Sequence, residues 1–387
     1  MKILQLPSWY LPEGGQFCQH QSIALLEAGI EVSILANVIL PLRKYKFSIF
    51  TFPLKAFYTK EDGISIFRYY AWKIPFFEFL NMKKWVHKTV SMCEQHIAKN
   101  GKPDLIHAHS SMWAGYAAAL IKRKYGIPYI ITEHRGRFSE NSKDTEKLFK
   151  PFYTKYLVKS FSNANAIILV SNQLKRRING FCTREVPFYT ISNILDTSLF
   201  RLKKGSLLKF PFVFMNANSF DPAKGYDILL PAFDKVCEKH PSATLYLLGE
   251  NFDNDEFLGI IENIKHKKNI ILTGLQNSNG VLKFMHKSHA FVLSSRIESQ
   301  SISVLEALSC GIPIVCTKAV PEEITPPFAA IRCDSNSVEE LYVAMVEMID
   351  NYDSFDSLAI SNFANSICSK EKVVSELLKV YTSIVKT

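Results

Sequence analysis

The chain has 387 residues, 47% of them hydrophobic and 21% charged, and a formal net charge of +10. That length and mixture exclude a disordered or low-complexity chain and leave room for two domains, each with its own core. The N-terminal MKILQLPSWYLP meets a proline after too few apolar residues for a signal peptide, and no uncharged apolar run approaches the ~20 residues of a membrane span, so a soluble, cytoplasmic protein is expected.

KILQL, a loop, a helical pattern closing at Gly29 and EVSILA read as strand, helix and strand, one βαβ unit. Two basic stretches interleaved with aromatics follow, RKYKFSIFTFPLKAFYTK (43–60) and FFEFLNMKKWVHKTV (76–90). They belong to a front half in which Lys+Arg exceed Asp+Glu by 13 (27 against 14, to residue 197), whereas the remainder falls short by 3 (19 against 22). Such asymmetry points the front half at a polyanion, either a nucleic acid or an anionic lipid surface. The second stretch has helical spacing, with Lys83, Lys84 and Lys88 beside Phe76, Phe77, Phe79 and Trp85. It reads either as a helix lying on an anionic leaflet or as a core-facing aromatic stripe under a solvated lysine face. No RNA- or DNA-binding module accompanies it, so nucleic acid is not expected as a partner.

The pattern resumes with DLIHAH (strand), MWAGYAAALIKRKYG (helix), IPYIITEH (strand) and the strand-like AIILVS and YTISN, a parallel sheet with covering helices. His107 and His109 in the first of these are read as facing opposite sides, a poor metal pair. DTSLFRLKKGSLLKFP (196–211) is polar and ends in proline, which makes it the candidate linker between a domain at 1–197 and a second at 198–369. The second series runs through FVFMNAN, GYDILLPAFDKVCEKH, ATLYLLG, NIILTG, SNGVLKFMHKS, HAFVLSS, PIVCT and AAIRC, again doubly wound. Asp253-Asn254-Asp255 imitates a D-x-D metal motif but falls in a loop after LLGEN and is not taken as a metal site. Three helical patterns close the chain, the first with the capping box Ser337 to Glu340, the last (370–387) expected to pack back on the first domain. The eight cysteines make no C-x-x-C, and reduced thiols are expected. Two such domains in tandem place a cleft at the carboxyl ends of their strands, where a ligand held by both halves belongs.

SSRIESQSISVLEALSCGIPIVC (294–316) sets two carboxylates, Glu298 and Glu306, around a strand–turn–helix corner. Glu298 falls on the turn and Glu306 about two turns into the helix, and the backbone N–H groups of Gln300, Ser301 and Ile302 are free at its start, where phosphate or sugar oxygens suit them. The alternative is structural, with Glu306 closing a capping box on Ser303 and Glu298 solvated on its turn.

E-x7-E followed by A-L-x-C-G-I-P resembles the signature of glycosyltransferase family 4, retaining enzymes of the GT-B architecture, in which two Rossmann-like domains, the first on the acceptor side and the second binding the nucleotide sugar, face each other across a cleft. The similarity extends over nearly the whole chain: LPEGGQFCQHQSIALLEAGIEVSIL, PDLIHAHSSMWAG, GIPYIITEH, ISNILDTSLF and DPAKGYDILLPAF follow in family order. The resemblance implies that Glu306 binds the nucleotide ribose hydroxyls and Glu298 those of the donor sugar, and that Lys224 neutralises the diphosphate. It implies that Gly14 and Gly15 let the first loop approach the phosphates, and that His134 faces the donor sugar near the reacting carbon. Lys224, Glu298 and His134 are thus the catalytic candidates; Gly14, Gly15, Lys224, Glu298, Gln300, Ser301, Ile302 and Glu306 are the donor-binding ones. Two positions depart from the pattern: Ser219 stands where the family has a second diphosphate arginine, with Arg296 as a candidate substitute, and Gln300-Ser301 replaces the usual Phe-Gly.

The function implied is transfer of a sugar, with retention, from a UDP- or GDP-sugar to a hydroxyl of a lipid-linked or oligosaccharide acceptor in polysaccharide or lipopolysaccharide biosynthesis. Neither cofactor nor metal is called for, and the basic first domain would meet an anionic membrane as a peripheral protein. A nucleotide-sugar 2-epimerase of the same fold and a non-catalytic sugar- or nucleic-acid-binding protein are the alternatives.

Overall fold

The computed structural model describes residues 1–41, 52–53, 55–140, 150–202, 205 and 210–386. They form two compact units: Met1–Ile194 with Lys370–Thr387, and Leu195–Ser369.

The first unit is built from β1 (Lys2–Pro7), α1 (Gln16–Glu27), β2 (Glu31–Leu40), β3 (Phe57–Glu61), β4 (Ile64–Trp72), α2 (Glu78–Asn100), β5 (Leu105–His109), α3 (Tyr116–Tyr125), β6 (Tyr129–Glu133), α4 (Pro151–Ser162), β7 (Ala166–Leu169), α5 (Lys175–Asn179) and β8 (Phe188–Thr190). Its eight-stranded sheet has the order β3-β4-β2-β1-β5-β6-β7-β8. Among the described residues only the edge strand β3 is antiparallel, paired with β4. Every residue of β5, β6 and β7 is buried, as a parallel sheet covered on both faces requires. The β3–β4 hairpin is a departure from the sequence reading, which left that stretch without strands; its turn is Asp62-Gly63, an Asp-Gly signal for a tight hairpin. The basic stretch at 43–60 falls for the most part outside the described residues.

Helix α2 carries the core-facing stripe over most of its length. Met82, Trp85, Val86, Thr89, Met92, Cys93 and His96 recur at helical spacing and are buried. Ahead of them Phe76 is 99% and Phe77 60% exposed, so the stripe is core from Met82 onward and open before it.

The second unit contains β9 (Val213–Ala217), α6 (Tyr226–Lys239), β10 (Thr244–Leu248), α7 (Asp255–Glu262), β11 (Ile270–Gly274), α8 (Ser278–Met285), β12 (Ala290–Leu293), α9 (Ile302–Ser309), β13 (Ile314–Thr317), β14 (Ala330–Cys333), α10 (Val338–Asp350) and α11 (Ser357–Cys368). Its sheet is parallel throughout, in the order β11-β10-β9-β12-β13-β14. The last helix, α12 (Lys370–Val385), belongs to the first unit, where Val373, Leu377 and Tyr381 pack with Ile3, Leu25, Ile130 and Ile168.

Each strand order reverses once, between β1 and β5 in the first sheet and between β9 and β12 in the second. Loops leaving the carboxyl ends of such a strand pair diverge to opposite faces of the sheet and open a crevice, where ligands of open α/β sheets bind. The β1 and β9 loops carry Gly14-Gly15 and Lys224; the β12 loop carries Glu298.

Candidate active site

In the first unit the loop after β1 folds back on itself at Gly14 (φ 95°) and Gly15 (φ 85°). A Cβ on Gly15 would lie 2.5 Å from the Trp9 carbonyl oxygen, so only glycine lets the backbone pass there before α1 begins. Two residues on, the Phe17 ring stacks on His134 at 3.9 Å between centroids. The loop and the histidine after β6 are therefore one packed assembly.

His134 is held by a chain of neutral groups. With Gln5 Oε1 accepting from His109 Nε2–H (2.7 Å), His109 Nδ1 is left to accept from His134 Nε2–H at 3.0 Å. Burial brings the His134 imidazolium down to about 3 and holds His109 well below its ordinary range. At neutral pH His134 is thus an oriented, uncharged hydrogen-bonding ring, not an acid. His107 and His109 do not face opposite sides: a strand repeats every two residues, both side chains lie on one face, and their rings stack at 4.5 Å. His107 is occupied by Thr132 Oγ1 (2.6 Å) and Tyr381 OH (2.7 Å), which fixes α12 to the sheet under the site.

Glu133 and Arg135 flank the histidine and were not singled out from the sequence. The buried Glu133 carboxylate accepts five hydrogen bonds, from the Ser110 hydroxyl, the Ser111 N–H and hydroxyl, and the N–H groups of His134 and Arg135 (2.7–3.1 Å). It ties the carboxyl ends of β5 and β6 together. Glu133→Gln would turn an amide NH₂ toward those donors, and we expect a loss of roughly 1–3 kcal/mol, read as a lower chemical-denaturation midpoint at unchanged m-value. Arg135 lies over the Trp9 ring at 4.6 Å. Burial and then Arg137 bring its guanidinium down to about 10, so it remains a cation beside the glycine loop.

In the second unit Lys224 ends a short turn, Pro222–Lys224, capped by the Asp221 carboxylate on the Ala223 N–H (2.8 Å). The turn is fastened to the end of β12: Ser294 Oγ donates to the Lys224 carbonyl (2.8 Å), and a Cβ on Gly225 (φ 68°) would lie 2.3 Å from the Ser294 carbonyl oxygen. Gly225→Ala must therefore push the lysine turn off β12. We expect it to destabilise the protein by about 1–3 kcal/mol and to reduce activity further than that loss explains, as thermal melts compared with activity at a permissive temperature would reveal.

Across this fastening Lys224 Nζ lies 2.8 Å from Glu298 Oε1, and Glu298 is 7% exposed. Helix α9 starts at Ile302 with Ser301 as N-cap and no side-chain hydrogen bond to its first turn. This start lies slightly later than the sequence implied, and it places Ser303 inside the helix, where it cannot form a capping box with Glu306. The Ser301 hydroxyl meets that of Ser303 instead (3.0 Å). Among the described residues the Glu306 side chain has neither a hydrogen bond nor an ion pair, and burial pushes its carboxyl up to about 7. A partly desolvated carboxylate without a protein partner is poised for a ligand that brings hydroxyl donors.

Arg296 does not substitute for the missing arginine at 219. Its guanidinium is bidentate to Asp227 (2.6 and 2.9 Å) and also donates to the Pro222 carbonyl (2.7 Å) and to Asn336 Oδ1 (2.6 Å). It clamps the lysine turn to the β12 loop, and its fork is used up. Ser219 Oγ accepts from the Glu250 N–H at 3.0 Å and joins the loops after β9 and β10. Asn254 of the Asp-Asn-Asp motif caps α7 through the Glu256 N–H at 2.9 Å, a structural use of that motif.

Two family models match the chain, Glycosyltransferase Family 4 over residues 15–199 and Glycosyl transferases group 1 over 201–360. An uncharacterized glycosyltransferase of Methanocaldococcus jannaschii, MJ1059, is 30% identical over 254 residues, which is 60% of each protein. TuaC of Bacillus subtilis, a putative teichuronic acid biosynthesis glycosyltransferase, is 24% identical over 82% of this chain and 81% of its own. Among solved structures, the sucrose-phosphate synthase of Thermosynechococcus elongatus matches 99% of both chains with a TM-score of 0.81 at 16% identity, a likeness of fold. The two models adjoin almost without a gap and together take in every strand but β1, and the chain belongs to the family 4 glycosyltransferases of GT-B fold.

Proposed function

We propose that the protein transfers a hexose, with retention of configuration and without a metal ion, from a nucleoside-diphosphate sugar to a hydroxyl of a lipid-linked saccharide. The observation that carries this reading is Glu306, a half-buried carboxylate with no protein partner among the described residues, behind the uncapped first turn of α9. Vicinal ribose hydroxyls would supply the donors it lacks, the α9 N–H groups would meet the phosphates, and Lys224 would neutralise them. Glu298 would then hold the donor-sugar hydroxyls while bridging to Lys224.

In the step itself the bond from the sugar's anomeric carbon to the diphosphate oxygen breaks and a bond to the acceptor oxygen forms on the same face. The acceptor's proton passes to the departing phosphate, whose developing charge Lys224 and the helix N–H groups stabilise. Neutral His134 orients the donor sugar as a hydrogen-bonding ring. No glycosyl-enzyme forms. Mass spectrometry of the protein quenched during turnover should show no hexose adduct, and the product's anomeric configuration by NMR should match the donor's; an adduct or an inverted product would sink the mechanism. A 2-epimerase would instead consume the nucleotide sugar with no acceptor present.

TuaC's name supports a surface-polysaccharide setting. A peripheral membrane position is supported by the open start of α2, where Phe76, Phe77, Phe79 (42%) and Leu80 (40%) are exposed and Lys83 Nζ lies 4.3 Å from the Phe79 ring. No helix among the described residues is long and apolar enough to cross a membrane. Co-flotation with vesicles should rise with their anionic lipid content and fall on Phe76→Ser/Phe77→Ser; flotation indifferent to both would remove the membrane from the account.

A further inference from the structure

At the carboxyl ends of β2 and β4 the first unit holds a cavity of about 460 Å³, distinct from the glycine loop and from His134. Aromatic rings form much of its wall: Phe52, Tyr69, Tyr70 and Trp72. Its charged lining residues are cationic, Lys84 and Lys88, one turn apart on α2 with His87 between them, and none of the described lining residues is acidic. Lys88 Nζ is held 4.1 Å from the centre of the Tyr69 ring, and among the described residues neither lysine has an ion-pair partner.

Asn37 supplies a second, independent feature. It lines the cavity and is 1% exposed. Its amide nitrogen donates to the Trp85 carbonyl (3.0 Å) and to Thr89 Oγ1 (2.9 Å), which fixes the orientation of the amide. The amide oxygen then has no hydrogen-bond partner among the described residues although it is buried. Buried acceptors are rarely left unpaired, and this one belongs to a residue that lines the cavity, so a ligand hydroxyl that reaches it would supply the missing donor.

We propose that this cavity binds the saccharide acceptor, and that the part it holds is a sugar ring carrying a phosphate or a carboxylate; the assignment rests on the transferase reading above. Aromatic faces receive the C–H faces of a sugar ring, Asn37 Oδ1 accepts from a ring hydroxyl, and Lys84 and Lys88 take the anion. The cavity lies at the same sheet end as His134. With β1 and β5 between β2 and β6, three strand spacings set it about 14 Å from the histidine's strand. An acceptor of more than one sugar would bridge that span, its anionic unit anchored here and its free hydroxyl toward the donor.

Saturation-transfer NMR on the full chain would test this with glucose 1-phosphate, glucuronic acid, glucose and inorganic phosphate as probes, alongside Lys84→Ala/Lys88→Ala. These surface changes leave the core intact. At least one acidic sugar should bind ten-fold or more tightly than glucose, inorganic phosphate should not displace it at equal concentration, and the double variant should weaken it about ten-fold or more. Which acid binds tells a phosphate from a carboxylate source. Equal binding of glucose, displacement by phosphate alone, or affinity untouched by the double variant would overturn the inference. Nucleotide titration of the same samples separates the two claims: a chain that binds nucleotide but no acidic sugar keeps the transferase reading and rejects the acceptor cavity. A chain that binds no nucleotide rejects the transferase reading, and the cavity's assignment as an acceptor site with it.

Discussion

Lys224→Ala is expected to lower sugar transfer by about 10²–10³-fold, the usual cost of removing one fixed charge or donor from a developing anion. The loss should fall on kcat as well as on kcat/KM, because the charge on the leaving diphosphate grows as its bond to the sugar breaks. Stability should fall too. Lys224 neutralises a Glu298 that is 7% exposed, and the lysine side chain itself is 26% exposed, so the penalty is put at about 2 kcal/mol, below that of a fully buried pair. Lys224→Ala/Glu298→Ala should recover much of that stability and none of the activity. Rapid-quench rates and thermal melts on the three variants would check both halves, and a double variant as active as wild type would remove the pair from the chemistry.

Glu306→Ala is expected to weaken nucleotide binding by about 10²-fold or more, through loss of two hydrogen bonds from ribose hydroxyls to a charged acceptor. The pH dependence is a sharper signature. Burial holds the free carboxyl near 7, whereas two hydroxyl donors in the complex favour the ionised form and lower it. Affinity for a nucleotide sugar, whose diphosphate diester does not titrate in this range, should therefore rise as pH increases toward 7 and level off above it. Stability has the opposite sign. The unfolded carboxyl ionises near its ordinary 4.5 and the folded one only near 7, so Glu306 costs stability increasingly as pH climbs between the two, and by a constant amount above. Glu306→Gln should accordingly melt higher than wild type at pH 8, match it below about pH 4.5, and show a flat pH profile of nucleotide affinity. Equal melting temperatures at pH 8 would mean that the carboxyl is not desolvated as described.

Much of this site was legible because its parts are local in sequence. The strand–turn–helix corner from Ser294 to Ser309, the lysine turn before α6 and the glycine pair before α1 each declare themselves within one short stretch of sequence, by turn residues followed by a helical pattern. What escaped was assembled over distance. Glu133 looks like one more residue at a strand end, and its role appears only when β5 and β6 pair and bring Ser110 and Ser111 to it. The Gln5–His109–His134 chain joins three strands. Arg296 read equally well as a spare cation until Asp227, a helical turn beyond the lysine, was seen to take both arms of its fork. The histidine pair in β5 was misjudged for a simpler reason, since residues two apart on a strand share a face. In the β3–β4 hairpin the Asp-Gly turn was a usable signal, overshadowed by the run of aromatics and lysines around it.

Central to the proposed transfer is a metal-independent nucleotide site whose ribose end would be Glu306. Calorimetric titration of UDP, GDP and ADP into the purified protein, with and without Mg²⁺ and beside Glu306→Ala, tests that claim most directly. The account predicts that one of the three binds equally well without the metal and that the variant loses it by about 10²-fold or more. Binding that requires Mg²⁺, survives Glu306→Ala undiminished, or fails for all three nucleotides would contradict it.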